Sequence, residues 1–159
     1  MLKGLDPLLG PDLLRVLRAM GHGDEIAIVD GNYPAETDGH RLIRMDGHDA
    51  VSVANAILSV MPLDEMVPDA AFRPGIAGAP GRREPIFAEF EALVARHEPG
   101  KRIAQLDGPA FYERVRAAFA IVATSERRLY GNLVLRKGVI HPAPERQIEN
   151  ESQSLDNLH

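Results

Sequence analysis

An α/β sandwich built on a largely parallel sheet is the architecture indicated by this sequence. Segments with apolar residues at helical spacing alternate with short, β-branched apolar runs, the pattern of helices crossing over between buried strands. Length agrees: 159 residues suffice for one domain with a real core and are few for two.

The elements follow in order. Gly10-Pro11-Asp12 opens a helix, with Pro in the first turn and an acid near the positive end of the dipole. Leu13, Leu14, Leu17 and Met20 share one face, and Gly21 is the expected stop. Ile26-Ala27-Ile28-Val29 reads as a buried strand that runs into the turn residues Asp30-Gly31-Asn32-Tyr33-Pro34. Leu42 to Met45 is a second strand. Ala50 to Met61 is a helix with Asp49 as its cap and Val53, Ile57 and Val60 on one side. A third strand lies near Ala70 to Arg73, and the Gly- and Pro-rich stretch from Pro74 to Pro85 is a loop. Pro85 to His97 is a helix closed by Pro99-Gly100, and Arg102 to Leu106 is a strand. Pro109 to Ala118 is a helix capped by Asp107, and Phe119 to Ala123 and Leu133 to Arg136 complete the strands. From Pro142 the chain turns polar and acidic. It reads either as a disordered tail or as an arm anchored on a neighbouring subunit by Ile148, Leu155 and Leu158.

Composition narrows the functional classes. The net charge is −5 and basic residues are scattered, in pairs such as Arg82-Arg83 and Arg127-Arg128, so no nucleic-acid surface is expected. No apolar run approaches membrane-span length, and no membrane partner is expected. The N-terminal segment Met1-Leu2-Lys3-Gly4-Leu5-Asp6-Pro7 does not read as a signal peptide. Cysteine is absent, which excludes disulfides and thiol chemistry and agrees with a cytoplasmic location. The six histidines are dispersed, with no His-Glu-x-x-His, so no metal is expected. Gly21-x-Gly23 lacks the third glycine of a dinucleotide fingerprint, no phosphate-loop lysine is present, and no serine sits in a nucleophile elbow.

Three clusters can carry chemistry. His22 lies between Gly21 and Gly23, where a small-residue turn leaves the imidazole free to face a pocket, with a pKa suited to proton transfer. An ordinary surface histidine is the competing reading. Asp30 stands at the carboxyl end of the first strand, where open α/β sheets bind ligands, and a carboxylate there accepts sugar hydroxyls or orients an imidazole. Its alternative is a plain turn residue. Tyr130-Gly131-Asn132 precedes the last strand and offers a ring face, a phenol and an amide, groups that suit a saccharide; a turn with a packing tyrosine is the alternative.

Taken together and in this order, these clusters resemble the RbsD/FucU family of ribose pyranases and fucose mutarotases. Met20-Gly21-His22-Gly23-Asp24-Glu25-Ile26, then Asp30 with Asn32-Tyr33-Pro34-Ala35, then Ala110-Phe111-Tyr112-Glu113-Arg114, and finally Tyr130-Gly131-Asn132 with Lys137-Gly138-Val139 carry the likeness, closest to the fucose branch. It covers roughly residues 1 to 140 and is weakest between Val67 and Lys101; residues 1–141 would form one mutarotase domain, followed by the 142–159 tail. The resemblance implies a three-layer α/β/α sandwich, a ring-shaped homo-oligomer such as a decamer with sites near subunit boundaries, and neither cofactor nor metal. It implies that His22 is the proton donor and that Asp30, Tyr130, Gly131 and Asn132 bind the monosaccharide. One position departs: where the family places a basic side chain upstream of Phe111-Tyr112, Arg in the fucose branch, this chain has Gly108. The expected activity is interconversion of sugar anomers by acid–base ring opening. The alternative is a non-catalytic monosaccharide-binding or transport-associated protein on the same fold. His22 and Asp30 are expected to face one cleft.

Overall fold

The computed structural model of the protein describes residues 1–143. The expectations placed on Ile148, Leu155 and Leu158 fall outside the described residues. A six-stranded sheet carries the chain, in the order β2-β5-β1-β6-β3-β4. Its strands are β1 (Glu25–Val29), β2 (Leu42–Met45), β3 (Ala71–Pro74), β4 (Ala104–Leu106), β5 (Ala120–Thr124) and β6 (Leu133–Arg136). β1 and β2 run parallel to β5, and β3 parallel to β4, while β6 lies antiparallel between β1 and β3. Five strands therefore share one direction and only β6 opposes them, in line with the mostly parallel sheet expected.

The continuous apolar character of β1 follows from burial on both faces. Ile26 and Ile28 point to the side covered by α1 (Pro11–Ala19), α3 (Ala50–Leu58) and α4 (Pro85–His97), where Leu13, Val53, Ile57, Phe87 and Phe90 complete the core. Ala27 and Val29 point to the other side, packed with Phe111 and Val115 of α5 (Gly108–Ala117) and with Ala35 of the single-turn α2 (Ala35–Asp38). The alternation continues across the sheet, with Leu133 and Leu135 on the first side and Val134 on the second. The three-layer α/β/α arrangement results.

Local chemistry explains the boundaries. Asp49 and Asp107 cap α3 and α5, accepting from Ser52 N and Ala110 N at 2.8 Å each. α1 ends with Met20 in extended conformation, so the stop expected at Gly21 needs no left-handed residue; the left-handed turn falls at Gly23, φ 85°. Lys137 Nζ closes α1 instead, donating to Leu17 O and Met20 O at 2.8 and 2.5 Å. α3 stops at Leu58, short of Met61, and leaves Val60 exposed. α2 falls between the Asp30–Pro34 turn and the second strand, where the sequence indicates no element, since four residues are too few to show a periodicity.

Replacing Asp107 by Ala removes the cap of α5 and is expected to cost about 1 kcal/mol. Urea unfolding should show a lower midpoint at unchanged slope; an unchanged midpoint would mean the cap contributes nothing.

Candidate functional site

Because β6 runs against β1, the residue before β6 lies beside the residue after β1. This brings Asn132 to Asp30 across 102 positions of sequence: Asp30 N donates to Asn132 Oδ1 at 2.7 Å, and Asn132 Nδ2 donates to Asp30 Oδ2 at 3.0 Å. Asn32 N donates to Asp30 Oδ1 at 2.9 Å. Burial pushes the Asp30 carboxyl above its usual range; the bonds from Asn32, Asn132 and Tyr33 N oppose this, and nearby Glu126 adds to it. Around the pair lies a cleft of about 180 Å³ lined by Asp30, Asn32, Tyr33, Tyr112, Tyr130 and Asn132, with Leu129 at the rim.

Two aromatic rings form one wall. Tyr33 and Tyr112 stack with centroids 5.1 Å apart at an interplanar angle of 19°. The Tyr33 hydroxyl donates to Asp38 Oδ2 at 2.8 Å. Burial first, and the Asp38 carboxylate next, push the phenol pKa up.

The opposite wall is a constrained turn. Tyr130 has φ 61°, the one non-glycine residue in the left-handed region among the described residues. Gly131 follows because nothing larger fits: an added Cβ would sit 2.7 Å from Glu126 Cγ and 3.1 Å from Arg128 O. Glu126 is buried and accepts from Arg128 Nε at 2.9 Å and Arg128 Nη2 at 3.0 Å. The Arg128 guanidinium first of all, against the opposing effect of burial, holds the Glu126 carboxyl down at about 2. This ion pair is the floor of the turn that presents Tyr130.

His22 lies at the other end of β1. The five residues of β1 separate the His22 turn from Asp30, about 16 Å at 3.3 Å per residue. The expectation that His22 and Asp30 face one cleft therefore fails within a single chain: one precedes the strand and the other follows it. His22 Nε2 is instead 3.0 Å from Oδ1 of Asp64, which is 1% exposed. Asp64 Oδ2 accepts from Arg136 Nε at 2.9 Å, and Oδ1 also accepts from Met66 N at 3.0 Å. Glu25 extends the network, held by Arg114 through a two-point contact at 2.9 and 3.0 Å. Burial resists the charge on Asp64, but Arg136, Met66 N and His22 outweigh it and bring the carboxyl to about 2. The turn itself is pinned by Gly23 N donating to Lys137 O at 2.8 Å, and Gly23 leaves room for Arg136, whose Nη2 would lie 3.0 Å from an added Cβ.

The structure thus unites Asp30, Tyr130 and Asn132, places Gly131 beneath them as a packing residue, and leaves His22 apart. Sequence reasoning missed Tyr33, Tyr112, Glu126, Asp64 and Arg136 as parts of either centre. The pairing of Leu63 with Lys137 brings Asp64 to Arg136, and no local pattern announces it. Gly108 opens α5, and a Cβ there would meet nothing within 4 Å. Among the described residues no group of three acidic or histidine side chains could hold a metal ion, and no helix is long and apolar enough to cross a membrane.

Comparison with known proteins sets this geometry in context. Residues 3–140 match the RbsD / FucU transport protein family. Human fucose mutarotase is 41% identical over 145 residues, covering 87% of this chain and 94% of the relative. The crystal structure of the fucose mutarotase from Streptococcus pneumoniae in complex with L-fucose superposes with a TM-score of 0.82 at 39% identity, covering 88% of this chain and 100% of the other. Bacillus subtilis RbsD, complexed with D-ribose, shares the fold at TM-score 0.70 and 22% identity, covering 89% and 100%.

The two depressed carboxyls have a consequence for acid stability. Asp64 and Glu126 bind protons less readily folded than unfolded, so their stabilisation is complete above about pH 4.5 and is lost as pH falls toward about 2. Asp30, raised, acts in the opposite sense and offsets part of the loss. The melting temperature should fall steeply below pH 4.5, and less steeply in a Glu126→Gln variant that starts from lower stability at pH 6. Parallel curves for the two proteins would show that Glu126 does not carry this dependence.

Proposed function

From the premise that this chain belongs to the RbsD/FucU family and is a sugar mutarotase, an isomerase, we propose how its residues carry out the reaction. The substrate is an L-fucose-like monosaccharide. The observation that carries the reading is the Asp30–Asn132 pair beside the stacked Tyr33 and Tyr112 rings, a carboxylate and an amide next to apolar faces. Sugars present hydroxyls and C–H faces together, and this cleft offers a counterpart to each. Asp30 and Asn132 hold hydroxyls, and Tyr130 orients the ring from its left-handed turn.

His22 supplies the proton. Ring opening breaks the bond between the anomeric carbon and the ring oxygen; His22 protonates that oxygen while a water takes the proton of the anomeric hydroxyl. Rotation about the freed carbon presents the other face of the aldehyde, and the same transfers run backward on closure. A positioned acid–base of this kind contributes about 10²–10⁴-fold.

His22 and Asp30 meet between subunits in this reading. The cleft of one chain, at about 180 Å³, is below the roughly 300 Å³ at which ligand pockets begin. Exposed apolar side chains flank both centres, Leu129 and Tyr112 beside Asp30 and Met66 beside Asp64. Two different patches of one chain facing each other make a head-to-tail contact, which gives a ring when the rotation between neighbours closes. Residues 1–141 act as the mutarotase domain.

Saturation-transfer NMR on a panel of fucose, ribose and galactose tests this. Wild-type protein should exchange α and β signals, fastest with L-fucose. A protein that only shifts the signals would be the sugar-binding protein that the missing basic residue at Gly108 allows. His22→Ala should bind sugar and lose most exchange; robust exchange in it would place the proton donor elsewhere. Asp30→Asn should be inactive too. Mixing the two inactive variants after subunit exchange should restore about one quarter of the sites. No recovery, or a monomer by light scattering, would refute a shared site.

A further inference from the structure

We propose that Asp64 is the positioning residue of His22 and that the imidazole exchanges its proton with the sugar through Nδ1, with Nε2 tied permanently to Asp64. The inference rests on the reading of His22 as proton donor.

The hydrogen-bond inventory fixes the tautomer. Asp64 Oδ1 lies 3.0 Å from His22 Nε2, and the carboxylate is buried at 1% exposure. Two further donors, Met66 N on Oδ1 and Arg136 Nε on Oδ2, hold it in its ionised, acceptor-only form. A neutral imidazole facing such an oxygen must carry its hydrogen on Nε2, which leaves the Nδ1 lone pair bare. No hydrogen bond to Nδ1 is found among the described residues, and the His22 side chain is 40% exposed. Nδ1 is therefore the nitrogen open to a sugar.

The surroundings keep the carboxylate in place. Lys101 Nζ donates to Asp64 O at 2.7 Å, and Asp64 N donates to Arg136 O at 3.0 Å. Arg136 is steadied in turn by Glu25 at 3.9 Å. The charged groups around the His22 turn are thus Asp24, Glu25, Asp64, Lys101, Arg136 and Lys137. Of these, Asp64 touches the ring, and Asp24 is occupied with Gly21 N at 2.7 Å.

The proton count closes. In the charged form both nitrogens carry hydrogen. Nδ1–H passes its proton to the ring oxygen as the carbon–oxygen bond breaks, which leaves the neutral Nε2–H tautomer that Asp64 favours. On closure the new hydroxyl attacks the aldehyde and returns its proton to Nδ1, while water gives back the anomeric proton. Asp64 stays ionised throughout and lowers the cost of forming the imidazolium, as a carboxylate does behind a catalytic histidine.

Two-bond ¹H–¹⁵N correlation spectra of wild-type protein at pH 8, with the His22 signals assigned through His22→Ala, read the tautomer directly. The expected result is a protonated Nε2 and a pyridine-like Nδ1; the reverse tautomer overturns the proposal without a substitution that could harm folding. In Asp64→Asn, with its fold checked by circular dichroism, the preference for the Nε2–H tautomer of His22 should be lost, because an amide can donate as well as accept. Exchange at pH 7 should drop at least about tenfold, with sugar affinity kept. A tautomer ratio unchanged in that variant overturns the role of Asp64. The two failures separate: the reverse tautomer with His22-dependent exchange removes this assignment and leaves His22 as donor. The expected tautomer with exchange indifferent to His22 removes the donor itself and the Nδ1 route with it.

Discussion

The placement of β6 is the constraint on which both centres depend. It is the one strand that opposes its neighbours, and it lies between β1 and β3. At one end it sets Asn132 against Asp30; at the other it sets Arg136 across from Glu25 and within reach of Asp64. A parallel strand in the same slot would bring Arg136 to the Asp30 edge and carry Asn132 away. The apolar residues Leu133, Val134 and Leu135 hold that strand by burial on both faces, and a shift of register by one would send each to the wrong layer.

Much of this was legible in the chain itself. Periodicity located α4 and the second and last strands at their observed bounds, because each is a regular apolar pattern ended by Gly, Pro or a charge. Asp49 and Asp107 were recognisable as caps from the turn chemistry of their side chains. Asp30, Tyr130 and Asn132 could be singled out as polar residues bordering strands. What sequence could not supply was direction. Nothing in Leu133 to Arg136 says that it runs against its neighbours, and the relation of His22 to Asp30 turns on which end of a strand each occupies. Asp64 was invisible for a related reason: it follows Leu63, whose bridge to Lys137 is a tertiary pairing with no periodicity of its own.

The two centres also differ in how they hold charge. Around Asp64 the carboxylate is kept ionised by a guanidinium, a backbone N–H and the imidazole, so its charge is a fixed background for the ring. Around Asp30 burial works against ionisation and amide donors restore part of what it removes. A carboxylate of the first kind suits the support of a cation that comes and goes. One of the second kind gains most from a hydroxyl donor that enters the cleft and completes its shell.

Tyr130 and Gly108 bear on how such a site can evolve. At Tyr130 the backbone lies in a region that disfavours β-branched side chains, and at Gly131 a Cβ would press on Glu126 and on the backbone of Arg128, so most substitutions there strain the turn. Gly108 has empty space where its side chain would stand. The two positions thus differ in tolerance: the Tyr130–Gly131 turn resists substitution, while at the start of α5 a side chain can be added without meeting another atom.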